Sequence, residues 1–152
     1  MTTTPDPPHV TDAPDDDRRL WVSGWYRIRP RTFEHFELFF EETVLSLVYA
    51  EQSYKSFLLR RDGRRERAED VGRDHLDVPT DELCHHERSF QVPVADVSGF
   101  RVKAGSLVRK PKFVVEADER EYEFYHPSRN YDVKALVDAL GVLYPALPTV
   151  EK

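Results

Sequence analysis

From Val94 to Pro145 the chain follows a rhythm open to few folds: a strand, a hairpin, a further strand, then one closing amphipathic helix. The helix is the most legible part. Val133, Leu136, Val137, Leu140, Leu143 and Tyr144 recur at i, i+3, i+4, i+7, i+10 and i+11, which makes one continuous apolar stripe. Asn130 is expected as its N-cap, with Asp132 favourably placed in the first turn and Pro145 as its stop. Gly141 inside it costs about 1 kcal/mol relative to alanine. Burial of four or five large side chains, at about 1.5–3 kcal/mol each, outweighs that cost, so the stripe must pack on a sheet.

The strands before the helix are marked by alternation and by turn residues. Phe90, Val92, Val94 and Val97 set a β pattern, Ser98-Gly99 breaks it, and Phe100 and Val102 resume it. Ala104-Gly105-Ser106 reads as a turn, after which Leu107 to Val115 is expected to run back as a strand. Pro111 puts that strand at an edge or a bulge. Asp118-Glu119-Arg120 makes another tight turn, Tyr122 and Phe124 face inward, and Glu121 and Glu123 face outward. The chain reverses again at His126-Pro127-Ser128.

The N-terminal half is less clear. Leu20, Val22, Tyr26 and Ile28 suggest a strand ending at Pro30. Phe33, Phe36, Phe39 and Phe40 fall at helical spacing, yet Thr43, Val44, Leu47, Val48 and Tyr49 are largely β-type. The expectation is two strands, 36–41 and 43–50, with a helix still open for the first. Residues 51–71 carry a helical pattern interrupted at Asp62-Gly63, and 72–88 read as a loop with one helical turn at Thr80-Asp81-Glu82. Residues 51–88 thus look like a helical and loop insertion into a β-fold.

Composition narrows the class. The chain has 152 residues, of which 1–18 combine four prolines and five aspartates with little that is apolar. Such a segment is expected to be a disordered acidic tail, leaving 19–147 as a single domain whose closing helix spans 131–144. The net charge of −6 belongs mostly to that tail, so the remainder is close to neutral. No apolar run approaches the roughly 18 residues that cross a bilayer, and the N-terminus lacks the hydrophobic stretch of a secretory signal. A cytoplasmic location is expected, in keeping with the single cysteine, Cys84.

Strand pairs, then VPVADVSGFRV, then KFVVEA and EYEFYH, then the helix DVKALVDALGVL, resemble a pleckstrin-homology-like domain. More narrowly, the chain is similar to the prokaryotic members of that superfamily, including GRAM-like modules. The match covers residues 20–145, with its recognisable pattern in 90–145. The resemblance implies an α+β fold, a partly open antiparallel β-barrel capped by a C-terminal helix, here with the 51–88 insertion. It also implies a binding or scaffolding role without catalysis, and it names no ligand.

Two basic clusters are the candidate sites. Lys55, Arg60, Arg61, Arg64, Arg65, Arg67 and Arg73 outnumber the acids of residues 55–73, and arginine forks suit phosphate groups. The plain alternative is a solvated helix face held by pairs such as Arg65 with Glu69. Arg101, Lys103, Arg109, Lys110 and Lys112 have no acid among them, and their expected hairpin tip carries Leu107 and Val108. Basic residues around apolar ones suit an anionic membrane, each worth about 1 kcal/mol near the surface. The alternative there is an edge strand guarded by positive charge.

Catalytic and metal signatures are weak. His75, Asp77, Asp81, Glu82, Cys84, His85 and His86 form a polar cluster, but adjacent His85-His86 diverge and a second cysteine is missing. Gly-x-Ser-x-Gly and glycine-rich phosphate loops are absent. Glu41-Glu42 and Glu119, Glu121 and Glu123 are expected to face solvent. No cofactor, metal or enzymatic role is therefore expected. A protein partner comes first, an anionic membrane second, and nucleic acid read by the arginine-rich 55–73 segment third. The last is weakened because no aromatic residues interleave the arginines for stacking.

Overall fold

A computed structural model describes residues 9–12, 18–30, 32–54, 64–84 and 86–151. The fold is α+β and mostly sheet. Its strands are β1 (His9–Asp12), β2 (Arg18–Ile28), β3 (Thr32–Glu41), β4 (Val44–Tyr54), β5 (Phe90–Pro93), β6 (Val97–Lys103), β7 (Lys112–Ala117), β8 (Arg120–Tyr125) and β9 (Thr149–Glu151). Its α-helices are α1 (Arg64–His75) and α2 (Val133–Leu143).

The strands form one open sheet in the order β5-β4-β3-β2-β8-β7-β6-β9, with β1 added on β2. Two antiparallel meanders, β2 to β5 and β6 to β8, meet where β2 touches β8. That junction is registered at a single pair, Tyr26 with Tyr125. Just before it β2 is bulged between Val22 and Trp25, and Gly24 there has φ +87°. A Cβ on Gly24 would lie 2.7 Å from His126 Nε2, so both the backbone and the space require glycine.

The inner face of the sheet wraps one core around α2. Trp25, Phe36, Phe40, Phe100, Phe113 and Phe124 fill it, and Val133, Leu136, Leu140 and Tyr144 close it from the helix. The expected stripe thus packs as foreseen, but the cap differs. Asp132, not Asn130, is the N-cap, its Oδ1 accepting from the Ala135 amide at 3.0 Å.

The ambiguous 33–50 stretch is two strands, β3 and β4, longer than expected at both outer ends. Their unusual apolarity has a cause: both faces are covered. On the outer face Trp21, Phe39 and Val48 meet Leu76 and Leu83 in a second core under α1 and the segment after it. Helix α1 approaches closely because position 72 is glycine, where a Cβ would lie 2.3 Å from Trp21 Nε1 and 2.4 Å from Glu37 Oε1.

Several expectations are corrected. Residues 51–54 belong to β4, held by pairing with β3 out to Thr32–Tyr54, because ladder partners override a local helical pattern. The helix runs on to His75, so the loop expected from 72 starts later, although Thr80–Glu82 does form its single 3-10 turn. The Asp62-Gly63 break lies outside the described residues. Within the expected tail, His9–Asp12 pair with Arg18–Trp21 along a stretch of β2 that β8 leaves unpaired. Leu107 to Pro111 is not strand. Ser106 closes a turn there, and β7 begins only at Lys112, after the proline that has no N–H to give. Finally, Glu41 is buried rather than solvent-facing, while Glu42 beside it is exposed.

Candidate functional site

Strand alternation puts Arg101 and Lys103 of β6 on the outer face of the sheet, beside Lys112 and Val114 of β7. The β6–β7 loop folds Arg109 and Lys110 toward the same place. Tyr26 of β2 and Tyr125 of β8, the pair that joins the two meanders, complete a cleft of about 560 Å³. All five basic residues singled out in the 101–112 segment line it. The floor of Tyr26, Val114 and Tyr125 was not foreseen, although Phe124 facing inward implies that Tyr125 faces outward.

The loop that borders the cleft is internally braced. Ser106 Oγ accepts from the amides of Val108 at 3.3 Å and Arg109 at 3.1 Å, and the Ser106 amide donates to the Arg109 carbonyl at 2.8 Å. This turn leaves Leu107 and Val108 at its tip, 94% and 81% exposed. The cations differ in how they are engaged. Arg101 bridges Glu121 at 2.7 Å and Glu116 at 3.2 Å, and Lys112 pairs with Glu123 at 3.0 Å. The Glu123 hydrogen bond favours the charged form of Lys112 and raises its pKa. Lys110 and Lys112 lie 5.8 Å from the ring centroids of Tyr26 and Tyr125 respectively. Lys103 and Arg109 are exposed and form no ion pair with a described residue. Burial, and then the neighbouring Tyr125, push the Tyr26 phenol up to about 12.

None of the other candidates whose side chains are described lines this cleft. Lys55, Arg60 and Arg61 lie outside the described residues; Arg64, Arg65 and Arg67 fall on α1, and Arg73 near its end packs over Trp21. Cys84 donates from Sγ to the Phe90 carbonyl at 3.3 Å, and burial pushes its thiol up to about 11, away from nucleophilic use. His86 turns elsewhere, stacked on Tyr49 at 4.7 Å, and His85 is outside the described residues. Among the described residues no three metal-capable side chains converge.

A buried polar group on the outer face escaped the sequence reading. Arg19 Nη1 donates to the carbonyls of His75 and Leu76, and its Nη2 lies 3.5 Å from Glu41 Oε2, which also accepts from Thr80 Oγ1 at 2.7 Å. These groups fasten the end of α1 to the sheet. No family model, curated protein or solved structure matches the chain.

Proposed function

We propose that this chain is a non-catalytic docking module of the pleckstrin-homology-like kind, and that it engages an anionic membrane surface with its β6–β7 loop and cleft. The strand order supports the family reading: a four-strand meander, a three-strand meander, the first strand of one (β2) paired with the last of the other (β8), and a closing helix. The observation that carries the membrane reading is the pairing at the loop tip. Leu107 and Val108 stand almost fully in water at the tip, and the next two residues of the chain, Arg109 and Lys110, line the cleft together with Lys103.

The competing explanation, charge that guards an edge strand, fits poorly. β7 is flanked on both sides, and the outer edge of β6 is occupied by β9. The cations therefore guard no open edge. Near an anionic surface each contributes about 1 kcal/mol, and the two apolar side chains add at most about 1.5–3 kcal/mol each. That sum suits reversible attachment.

Flotation with neutral and with anionic phospholipid vesicles tests the reading. The expected result is binding to anionic vesicles that weakens with salt and falls at least tenfold in Arg109→Glu/Lys110→Glu. Leu107→Asp/Val108→Asp should weaken it as well, with net charge then working in the same direction, so Leu107→Ser/Val108→Ser serves as the uncharged comparison. Absence of binding to anionic vesicles at low salt would sink the membrane reading, leaving a protein partner.

A further inference from the structure

His126 follows β8 at the junction of the two meanders, and it is fully buried. Its amide donates to the Pro111 carbonyl at 3.1 Å, which ties the end of β8 to the end of the β6–β7 loop. Its ring lies against Trp25 of β2, 5.2 Å between centroids, and against Tyr131, just before α2, at 4.2 Å. Ring Nδ1 accepts from the Ser128 amide at 3.0 Å, closing the turn that leads on to α2. A main-chain N–H can only donate, so Nδ1 is bare and the neutral ring carries its one proton on Nε2.

That turn supports the loop of the cleft. A Cβ on Gly105 would lie 2.5 Å from the Arg129 carbonyl oxygen and 2.9 Å from Pro111 Cδ, so the loop leaves β6 flush against residues 127–130. The next residue, Ser106, opens the hydrogen-bonded turn that carries Leu107 and Val108.

A second proton on the ring can go only to Nδ1. It turns Nδ1 into a donor facing the Ser128 donor, so the imidazolium and the closed turn exclude each other. Opening the turn also lets water reach a charge that a fully buried ring is denied. The titratable groups set against the ring are the Tyr131 phenol and, across Gly24, the Glu37 carboxylate, whose Oε2 takes the Gly24 amide at 3.0 Å. From the loop and the turn come the cations Lys110 and Lys112, either side of Pro111, and the exposed Arg129. Of these groups only an imidazole ordinarily changes charge between about pH 5 and 8.

We propose that His126 is a proton-operated brace for the β6–β7 loop: the neutral ring keeps the turn closed and the loop ordered, and the protonated ring frees both. Acid favours the loosened loop, because that form is the one able to take the second proton. For attachment to an anionic surface the consequence rests on the membrane reading. A loose loop must be ordered again on docking, so attachment weakens as pH falls.

The test follows the full chain by proton–nitrogen correlation spectra from pH 8 to pH 5, without vesicles, with the carbon-bound protons of the His126 ring reporting its charge. Protection of the Ser128 amide is expected to fall at least tenfold, and Leu107 and Val108 to lose order, along the same curve as the ring. His126→Asn offers an oxygen to the Ser128 amide in the manner of an Asx turn and takes no proton, so its loop should stay ordered throughout. Should that variant not fold, Ser128→Pro removes the amide donor and should show the loosened loop already at pH 8. A ring that titrates while Ser128 and the loop stay unchanged overturns the proposal. So does a ring that takes its proton only when the whole protein unfolds. Flotation with phosphatidylglycerol vesicles at the two pH values reads the consequence: attachment of the unchanged chain should fall at least threefold relative to His126→Asn. An equal change in both overturns the link between brace and attachment. Absence of attachment at either pH sinks the membrane reading alone, since the spectra judge the brace without any lipid.

Discussion

Arg19 shows how much a single side chain can carry when no water reaches it. Its guanidinium is fully buried, donates to the two carbonyls at the end of α1, and faces Glu41. Removing one partner from a buried ion pair strands the other, at a cost of about 3–5 kcal/mol. Arg19→Met should therefore lower the unfolding free energy by about that amount in urea denaturation, whereas alanine at the exposed neighbour Arg18 should change it by less than about 0.5 kcal/mol. The sequence offers no sign of this difference. Arg18 and Arg19 are adjacent and chemically identical, and only the arrival of α1 on the outer face decides which is enclosed. The same arrival buries Glu41, which strand alternation alone would leave facing water.

Two glycines in the two helices make opposite expectations. Gly141 of α2 has nothing within 4 Å of where a Cβ would stand, and it is exposed. Gly141→Ala should stabilise the protein by up to about 1 kcal/mol, raising the melting temperature by about 2–4 °C. Gly72 of α1 lies against Trp21 and Glu37, so Gly72→Ala should destabilise despite the same gain in helix propensity. Thermal unfolding of both variants checks the two signs. Legibility followed the same divide between the elements. Helix α2 has one wet face, so its stripe stands out, and β8 alternates for the same reason. β3 is dry on nearly every residue, because the sheet is covered on both sides there. Alternation disappears under such cover, which is why a helix stayed open as the alternative to the strand expected there. The cations of the cleft were legible as a cluster, but the tyrosines beneath them come from strands 99 residues apart in the chain, beyond any local pattern.

The molecule as a whole is two meanders joined at Tyr26 and Tyr125, and that junction makes stability sensitive to alkali. A tyrosine ordinarily titrates near about 10, and Tyr26 is held protonated up to about 12. The folded state thus keeps a proton that the unfolded chain releases earlier. Its contribution is fully present below about pH 10 and is lost as pH rises through about 12. Urea denaturation at pH 8 and at pH 11 should show a fall in stability that is smaller in Tyr26→Phe. Burial raises Tyr144 too, in hydrogen-bonding contact with the Glu41 carbonyl, so part of the fall should persist. The cleft runs along this same junction, with Tyr26 from one meander and Val114 and Tyr125 from the other. Any occupant that touches all three clasps both halves and so favours the folded form by mass action. Melting temperature then becomes a reporter of occupancy: a collection of anionic amphiphiles could be screened by heat alone, before anything is known of their identity.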